Sequence, residues 1–374
     1  MSKLSAIVTD ANLALASLQA EDLSISDQLQ DNKTRLENTL KTQLSLPVSE
    51  ANIELIQSII NLLLNDFKKN QAGLSNNTIN SLYYNWACFY DWCKSRDISP
   101  LPASTAHFVE FMQDMKSKVK LNTLASYRWA INSFHLAAGL PSPTNPRISI
   151  DTFSGIRKEK ARASELITQA SPFRHKHLDF LITHWNDSNL LIERRDLAVL
   201  TIAYESMLRE TELANIKFDH LTFQEDGRAT LLVPVSKTNH SGHPDIVMLS
   251  KQCVNILWAY LKCCTYKKGY IFKQIKRNDT LMYGPNPLTR LTIDRVFKRA
   301  HQFFSANSSS INLMDKPWSG HSARVGACQD LLTAGYSILE VQQAGRWSSP
   351  MMVYRYGRNV LAKESAMAKA RWDR

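Results

Sequence analysis

Residues 318–327 read W-S-G-H-S-A-R-V-G-A, residues 344–347 read A-G-R-W, and residues 353–359 read V-Y-R-Y-G-R-N. His321 and Arg324 stand three apart, so at the start of a helix both leave the same face. A helix N-terminus bearing a His and an Arg suits a phosphate. Gly345 ends one predicted helix, and Ser349 and Pro350 open the next as cap and first-turn proline. That helix carries Tyr354 and Tyr356, which lie about 200° apart around its axis, so only one phenol can face His321 and Arg324. The segment gathers a His, an Arg, a Trp and one Tyr, a set suited to forming a covalent bond to phosphate.

The chain around this segment has 374 residues, more than a single hydrophobic core usually serves, so two domains and an appendage are expected. The formal net charge is +11; residues 1–60 hold Lys3, Lys33, Arg35 and Lys41 against eight acidic side chains, a net of −4, which leaves +15 on residues 61–374. A basic body of this kind points to a polyanionic partner. The six cysteines (Cys88, Cys93, Cys253, Cys263, Cys264, Cys328) form no C-x-x-C pair and have no His at zinc spacing. They read as buried, reduced thiols, and neither a metal nor a cofactor is expected. The first ten residues hold one Lys and an apolar run stopped by Asp10, so no signal peptide is expected, and no apolar window reaches membrane length. The expectation is a soluble cytoplasmic protein with no membrane partner.

Residues 1–48 are rich in Ser, Thr, Gln, Asn and Asp, and read as a loosely ordered or disordered extension with room for one helix. From Ser49 the pattern becomes helical. Ile53, Leu55, Ile56, Ile59, Ile60, Leu63 and Leu64 form a first stripe, and Ile79, Leu82, Tyr83, Trp86, Phe89, Tyr90 and Cys93 a second, with Thr78 as its expected cap. Further helices are predicted around Phe108–Met112, from residue 121 to a stop at Gly139, and over residues 150–161. The reading is an all-helical domain over residues 49–162 and a linker over 163–172. The basic stretch 157–164, with Arg157, Lys158 and Arg162, lacks an apolar stripe and suits a segment crossing a nucleic-acid backbone. Outer faces carry Asn77, Asn80, Ser81 and Tyr84 on one helix and Lys118, Lys120, Asn122, Ser126 and Arg128 near another. Such groups can contact phosphates and base edges, although taken alone they are more economically read as ordinary solvated surface.

Residues 173–374 read as a second, mostly helical domain with one β region. A-T-L-L-V-P-V alternates after the turn Glu225-Asp226-Gly227, K-T-N-H-S-G-H-P makes a polar tip, and D-I-V-M-L returns. The fold class is therefore mainly α, with a helical N-terminal domain and a mostly helical C-terminal domain holding a small antiparallel sheet. Helices are predicted over residues 177–185, 254–261, 291–304, 323–334, 339–344 and 350–356, and in a terminal stretch over 361–371.

By itself H-x-x-R is a weak signal, but its company is specific. G-H-S-A-R-V-G-A, A-G-R-W and Y-G-R-N resemble the tyrosine site-specific recombinases, and among them the Cre-like phage and plasmid members, with similar order and character over residues 49–374. The resemblance implies the site residues. His321 and Arg324 fill the family's H-x-x-R, Trp347 its His-or-Trp position, and Tyr356, nine residues later, its nucleophile, which leaves Tyr354 to packing. L-R-E-T-E-L gives Arg209 as the family's first arginine, with Glu212 as its acidic partner, and Lys237 falls at the lysine of the β-hairpin. Without the family, Lys237 is a solvated tip and Arg209 a charge at a helix C-terminus. Arg346 is an extra cation beside Trp347.

What the resemblance implies about activity is equally definite. Tyr356 would attack a DNA phosphate to give a 3′-phosphotyrosyl link and a free 5′-hydroxyl. Arg209 and Arg324 would hold the transition-state charge, with hydrogen bonds from His321 and Trp347, and Lys237 would protonate the leaving oxygen. Expected partners are double-stranded DNA with inverted-repeat arms, read in part by Arg290, Asp294 and Arg295, and a homotetramer that exchanges strands through a Holliday junction. Its terminal helix, with Leu361, Met367 and Ala370, would dock on a neighbour or fold back. A bacterial, nucleoid-associated location goes with that role. The rival readings are a type IB topoisomerase or telomere resolvase, and a DNA-binding protein without catalysis.

Overall fold

The computed structural model describes residues 28–47, 49–163, 169–234, 244–308, 316–363, 365, 367–368 and 370. The chain divides at residues 167/168 into two compact units, and among the described residues it forms fourteen α-helices and three strands. The mainly α class with a small antiparallel sheet holds.

The N-terminal unit is built on aromatic packing between helices. Its elements are α1 (Gln28–Ser45), α2 (Ile53–Lys69), α3 (Asn76–Lys94), α4 (Thr105–Lys116), α5 (Leu121–Ala137) and α6 (Arg147–Arg162). On α2 the stripe Ile56, Ile59, Ile60, Leu63 and Leu64 is buried, while Leu55 stays partly exposed. Trp86 of α3 stacks on Phe134 of α5 with ring centroids 4.4 Å apart, and Phe89 meets Phe111 of α4 edge-on at 5.0 Å. Each such ring, fully buried, contributes about 1.5–3 kcal/mol, so these contacts join three helices into one core.

The structure differs from the sequence reading at two points in this unit. Ser75, not Thr78, caps α3: its Oγ accepts from the Thr78 amide at 3.2 Å. The core also starts before residue 49. Leu40 of α1 is fully buried in the same core as α2, and Leu36 and Leu44 pack against that core. A stripe of three leucines four apart is too thin to stand out in a polar sequence. The basic stretch at 157–162 belongs to α6, in line with the helix predicted over 150–161. Phe153 and Ile156 anchor that helix, Lys160 Nζ donates to the Val119 carbonyl at 2.9 Å, and Lys116 pairs with Glu159 at 2.9 Å.

The C-terminal unit is organised around one buried helix. Its elements are α7 (His175–Trp185), α8 (Leu191–Ser206), α9 (Glu210–Ala214), β1 (Leu221–Phe223), β2 (Ala229–Val233), β3 (Asp245–Leu249), α10 (Lys251–Leu261), α11 (Arg290–Asn307), α12 (Ser322–Thr333), α13 (Ile338–Ala344) and α14 (Met351–Lys363). Helix α8 is buried along most of its length, charged residues included. Arg195 and Asp196 survive there because they are paired: Arg195 Nε donates to Asp196 Oδ1 at 2.7 Å, and Arg299 of α11 donates to Oδ2 at 2.5 and 2.8 Å. The strands run in the order β1-β2-β3, all antiparallel, with Leu231 opposite both Leu221 and Val247. Strand β1 escaped the sequence reading because only its first residue is partly buried, so no alternation marks it. Helix α14 runs unbroken past Tyr356 to Lys363, where the sequence suggested a break. Gly357 does not interrupt it; a Cβ there would overlap Leu332 of α12, so the missing side chain lets the two helices close on each other.

Two further findings concern expected absences. Cys93, Cys253 and Cys328 are buried as expected, Cys88 and Cys264 are partly covered, and Cys263 is exposed, contrary to the reading that all six are buried. Among the described residues no helix is long and apolar enough to cross a membrane.

Two stability predictions follow from this packing. A Cβ at Gly326 would overlap the Phe173 carbonyl, whereas Gly155 in α6 faces open space. Gly326→Ala should lose about 1–3 kcal/mol and Gly155→Ala should gain about 0.5–1 kcal/mol in urea unfolding; equal effects would contradict the close approach. His135 is fully buried, accepting the Ala103 amide at Nε2 (2.9 Å) and bonded through Nδ1 to the Ile131 carbonyl (2.8 Å). Burial lowers its pKa from 6.5 to about 4. Because the folded value lies below the unfolded one, stability should fall as pH drops from about 6.5 toward 4, where only the unfolded chain binds the proton. Replacing His135 with Gln should make that pH dependence shallower by up to one proton in equilibrium unfolding.

Candidate active site

Four segments of the C-terminal unit converge. The first is the turn after α8, where Met207 adopts the left-handed conformation (φ 49°). Two residues later Arg209 caps α9, and Glu212 takes both its backbone amide (2.9 Å to Oε2) and its guanidinium (2.8 Å to Oε1). Arg209 is thus at a helix N-terminus, and the reading of it as a C-terminal charge is set aside.

The second segment is the start of α12. His321 occupies the N-cap position and Arg324 the first turn, as the three-residue spacing predicts. Arg324 is 1% exposed. Its Nη1 donates to the Met207 carbonyl, its Nη2 donates to the Gly345 carbonyl at 3.0 Å, and its guanidinium lies 5.2 Å from the centre of the Trp347 ring. Among the described residues its Nε has no acceptor. Burial, then repulsion from Arg209, lowers its pKa from 12.5 to about 10, so it keeps its charge at neutral pH.

The third segment follows α13. A Cβ on Gly345 would overlap the Trp347 ring, so the glycine makes room for the indole. Gln342 fixes the turn twice, accepting the Trp347 amide on its carbonyl at 3.1 Å and donating its side-chain amide to the Trp347 carbonyl at 3.0 Å.

The fourth is α14, and it separates the two tyrosines: Tyr354 is 50% exposed and Tyr356 5%. The Tyr356 hydroxyl is hydrogen-bonded to His321 Nε2, and its ring meets Trp347 edge-on at 5.5 Å. Its carbonyl accepts from Gln329 at 3.0 Å and Gln169 at 3.2 Å. The sequence reading missed these two glutamines. Gln329 is one helical turn and a half beyond Arg324, but an amide there carries no signal until the fold shows it buried.

Electrostatics assign the protonation states. Burial, then Arg324, Arg209, Arg355 and Arg290, lowers the His321 pKa from 6.5 to about 4, so the imidazole is neutral at pH 7. Burial raises the Tyr356 phenol although Arg324, Arg355 and Arg209 pull it down. A protonated phenol bonded to a neutral imidazole is a donor meeting a base.

The remaining expected residues are distributed as follows. Lys237 lies outside the described residues. Asn77, Asn80, Ser81 and Tyr84 are all exposed on α3, one side of the helix by spacing. Lys118, Lys120 and Asn122 are exposed and Ser126 half-buried, whereas Arg128 packs over Phe153 at 5.3 Å and reaches the Thr144 carbonyl at 3.5 Å. Arg157, Lys158 and Arg162 are exposed on α6. On α11, Arg295 is exposed, Arg290 pairs with Glu210, and Asp294 pairs with Lys298 at 2.7 Å.

Residues 173–362 match the model of the phage integrase family, and the chain belongs to it. Its members in this branch are tyrosine recombinases, enzymes that break and rejoin DNA, and the chain is one of them. Among individual relatives, it is 26% identical to recombinase Cre of Escherichia phage P1 over 335 residues, 87% of this chain and 95% of that protein. It is also 26% identical to an integrase/recombinase XerD homolog of Selenomonas ruminantium, over 76% of this chain and 82% of the relative. The fold is similar to that of the XerH site-specific recombinase bound to a palindromic difH substrate, with a TM-score of 0.59 and 14% identity over 99% of this chain and 96% of that one.

The raised phenol can be measured directly. In a spectrophotometric alkaline titration, the step lost in Tyr356→Phe should lie above the ordinary tyrosine value of about 10. A missing step at or below that value would contradict the buried, His-bonded phenol.

Proposed function

We propose that the chain is a site-specific DNA recombinase in which Tyr356 is the nucleophile. One observation carries this: the single buried tyrosine of α14 is hydrogen-bonded to a neutral histidine within a cluster that also holds Arg209, Arg324 and Trp347.

The geometry supports the following chemistry. As the Tyr356 oxygen attacks the scissile phosphate, its proton passes to His321 Nε2, and the phosphorus–O5′ bond breaks. The product is a 3′-phosphotyrosyl linkage and a 5′-hydroxyl. Extra negative charge gathers on the non-bridging oxygens in the transition state. Arg209 keeps guanidinium donors that Glu212 does not use, Arg324 has its Nε without an acceptor, and the Trp347 indole N–H can add a hydrogen bond. Lys237 is assigned the proton for the leaving 5′-oxygen. The linkage retains the bond energy of the phosphodiester, so the reverse attack by a partner's 5′-hydroxyl needs no nucleotide.

The larger assembly is part of the same proposal. Four such sites on two duplexes, each with inverted-repeat arms, would exchange strands in two rounds through a Holliday junction. The exposed amides and cations on α3, α5, α6 and α11 are assigned to the DNA, phosphates first and base edges second. XerH, bound to a palindromic substrate in its solved complex, supports an inverted-repeat target.

A nicked duplex that loses its 5′-hydroxyl fragment on cleavage tests this. Wild-type protein should accumulate a covalent adduct and Tyr354→Phe should do so within a few-fold, while Tyr356→Phe should lose it by at least about 10³-fold. An adduct with Tyr356→Phe and none with Tyr354→Phe would reverse the assignment. Relaxation of a two-site supercoiled plasmid without any exchanged product would instead favour a topoisomerase.

A further inference from the structure

Arg346 occupies a position that a glycine would fill without steric cost. Its φ is 51°, in the left-handed region, where a Cβ is disfavoured. Only four non-glycine residues among those described have positive φ, and two of them, Met207 and Arg346, lie in this site. The two turns are linked by crossed arginines. Arg324 donates to the carbonyls of Met207 and Gly345, while Arg346 Nη1 donates to the Ser206 carbonyl at 3.1 Å.

The Arg346 side chain does more than join backbones. Its Nη2 donates to Glu212 Oε2 at 2.8 Å, the oxygen that also receives the Arg209 amide. Its Nε stands 3.4 Å from Asp245 Oδ2 at the start of β3, an ion pair without hydrogen-bond alignment. The side chain is 10% exposed and Glu212 4%, so these charges meet largely away from water, where pairing is strong. Arg346 therefore joins the α8 turn, the α9 acid, the first residue of β3 and the Trp347 turn. It also sets the charge balance. Arg209 and Arg346 pair with Glu212, and Arg346 also faces Asp245, so losing Arg346 takes one positive charge from the cluster that receives the phosphate. With Arg346 holding the second oxygen of Glu212, Arg209 needs only one of its nitrogens for the first.

We propose that Arg346 is a positioning residue for DNA cleavage, holding Glu212, Arg209 and the Trp347 turn in the geometry that receives the scissile phosphate. It does not itself contact the phosphate. The proposal rests on the cleavage reaction assigned to Tyr356.

The test compares wild type, Arg346→Gly and Arg346→Lys as full-length proteins. It reads the single-turnover rate on the nicked duplex, the Kd for an intact target duplex, and the midpoint of thermal unfolding. Arg346→Gly removes the backbone strain along with the charge, so its midpoint should stay within a few degrees of wild type. Its cleavage rate should fall about 10²-fold, with Kd changed by less than about threefold. Arg346→Lys should recover part of the rate because it restores the charge. A glycine variant that cleaves at the wild-type rate, or one whose loss is fully accounted for by weaker binding or by unfolding, overturns the positioning role. Absence of any adduct with wild type overturns the Tyr356 assignment itself, and this role with it.

Discussion

The site depends on the buried fork of Arg324. One nitrogen of its guanidinium holds the carbonyl that ends α8 and another holds the carbonyl that ends α13. Removing one partner of a buried charged group typically costs about 3–5 kcal/mol, because the other is left unsatisfied. The same side chain therefore braces the domain and charges the site. Around it, α9 brings Arg209 and Glu212, α12 brings His321, the turn after α13 brings Trp347, and α14 brings Tyr356. Arg324 thus ties two of these turns directly, while His321 and Gln329 on its own helix hold Tyr356.

That brace explains the choice between tyrosines in physical terms. Close approach of α12 and α14, allowed by Gly357 against Leu332, turns one face of α14 inward. Two residues span about 200° of helix, so turning Tyr356 in turns Tyr354 out. Glutamines on its backbone carbonyl and His321 on its hydroxyl hold Tyr356 from both ends. The phenol stays protonated because burial outweighs the attraction of the nearby cations, and the histidine stays neutral because burial and repulsion from those cations both disfavour its charged form. The proposed nucleophile and its proposed base are thus both uncharged at neutral pH.

Much of this was legible in the sequence because the signals are local. The three-residue spacing of His321 and Arg324, the two-residue spacing of the tyrosines, and the stripes of α2, α3 and α5 depend only on helix geometry. The alternation of β2 and β3 depends only on the pleat. What stayed hidden depends on distant partners. Leu40 became core by packing on α2, and Gln169 and Gln329 met Tyr356 through the fold. The helix predicted to end at residue 356 continues through Gly357, which serves as a contact with Leu332. Arg346 was visible as an extra cation, yet its left-handed backbone and its partners in three other segments were not.

The most direct test of the central claim is to identify the residue that carries the DNA. Wild-type protein trapped on a nicked duplex, trimmed with nuclease and digested, should yield one nucleotide-modified peptide, with fragment masses placing the added phosphate on Tyr356. Modification at Tyr354, or at any residue outside α14, would contradict the account.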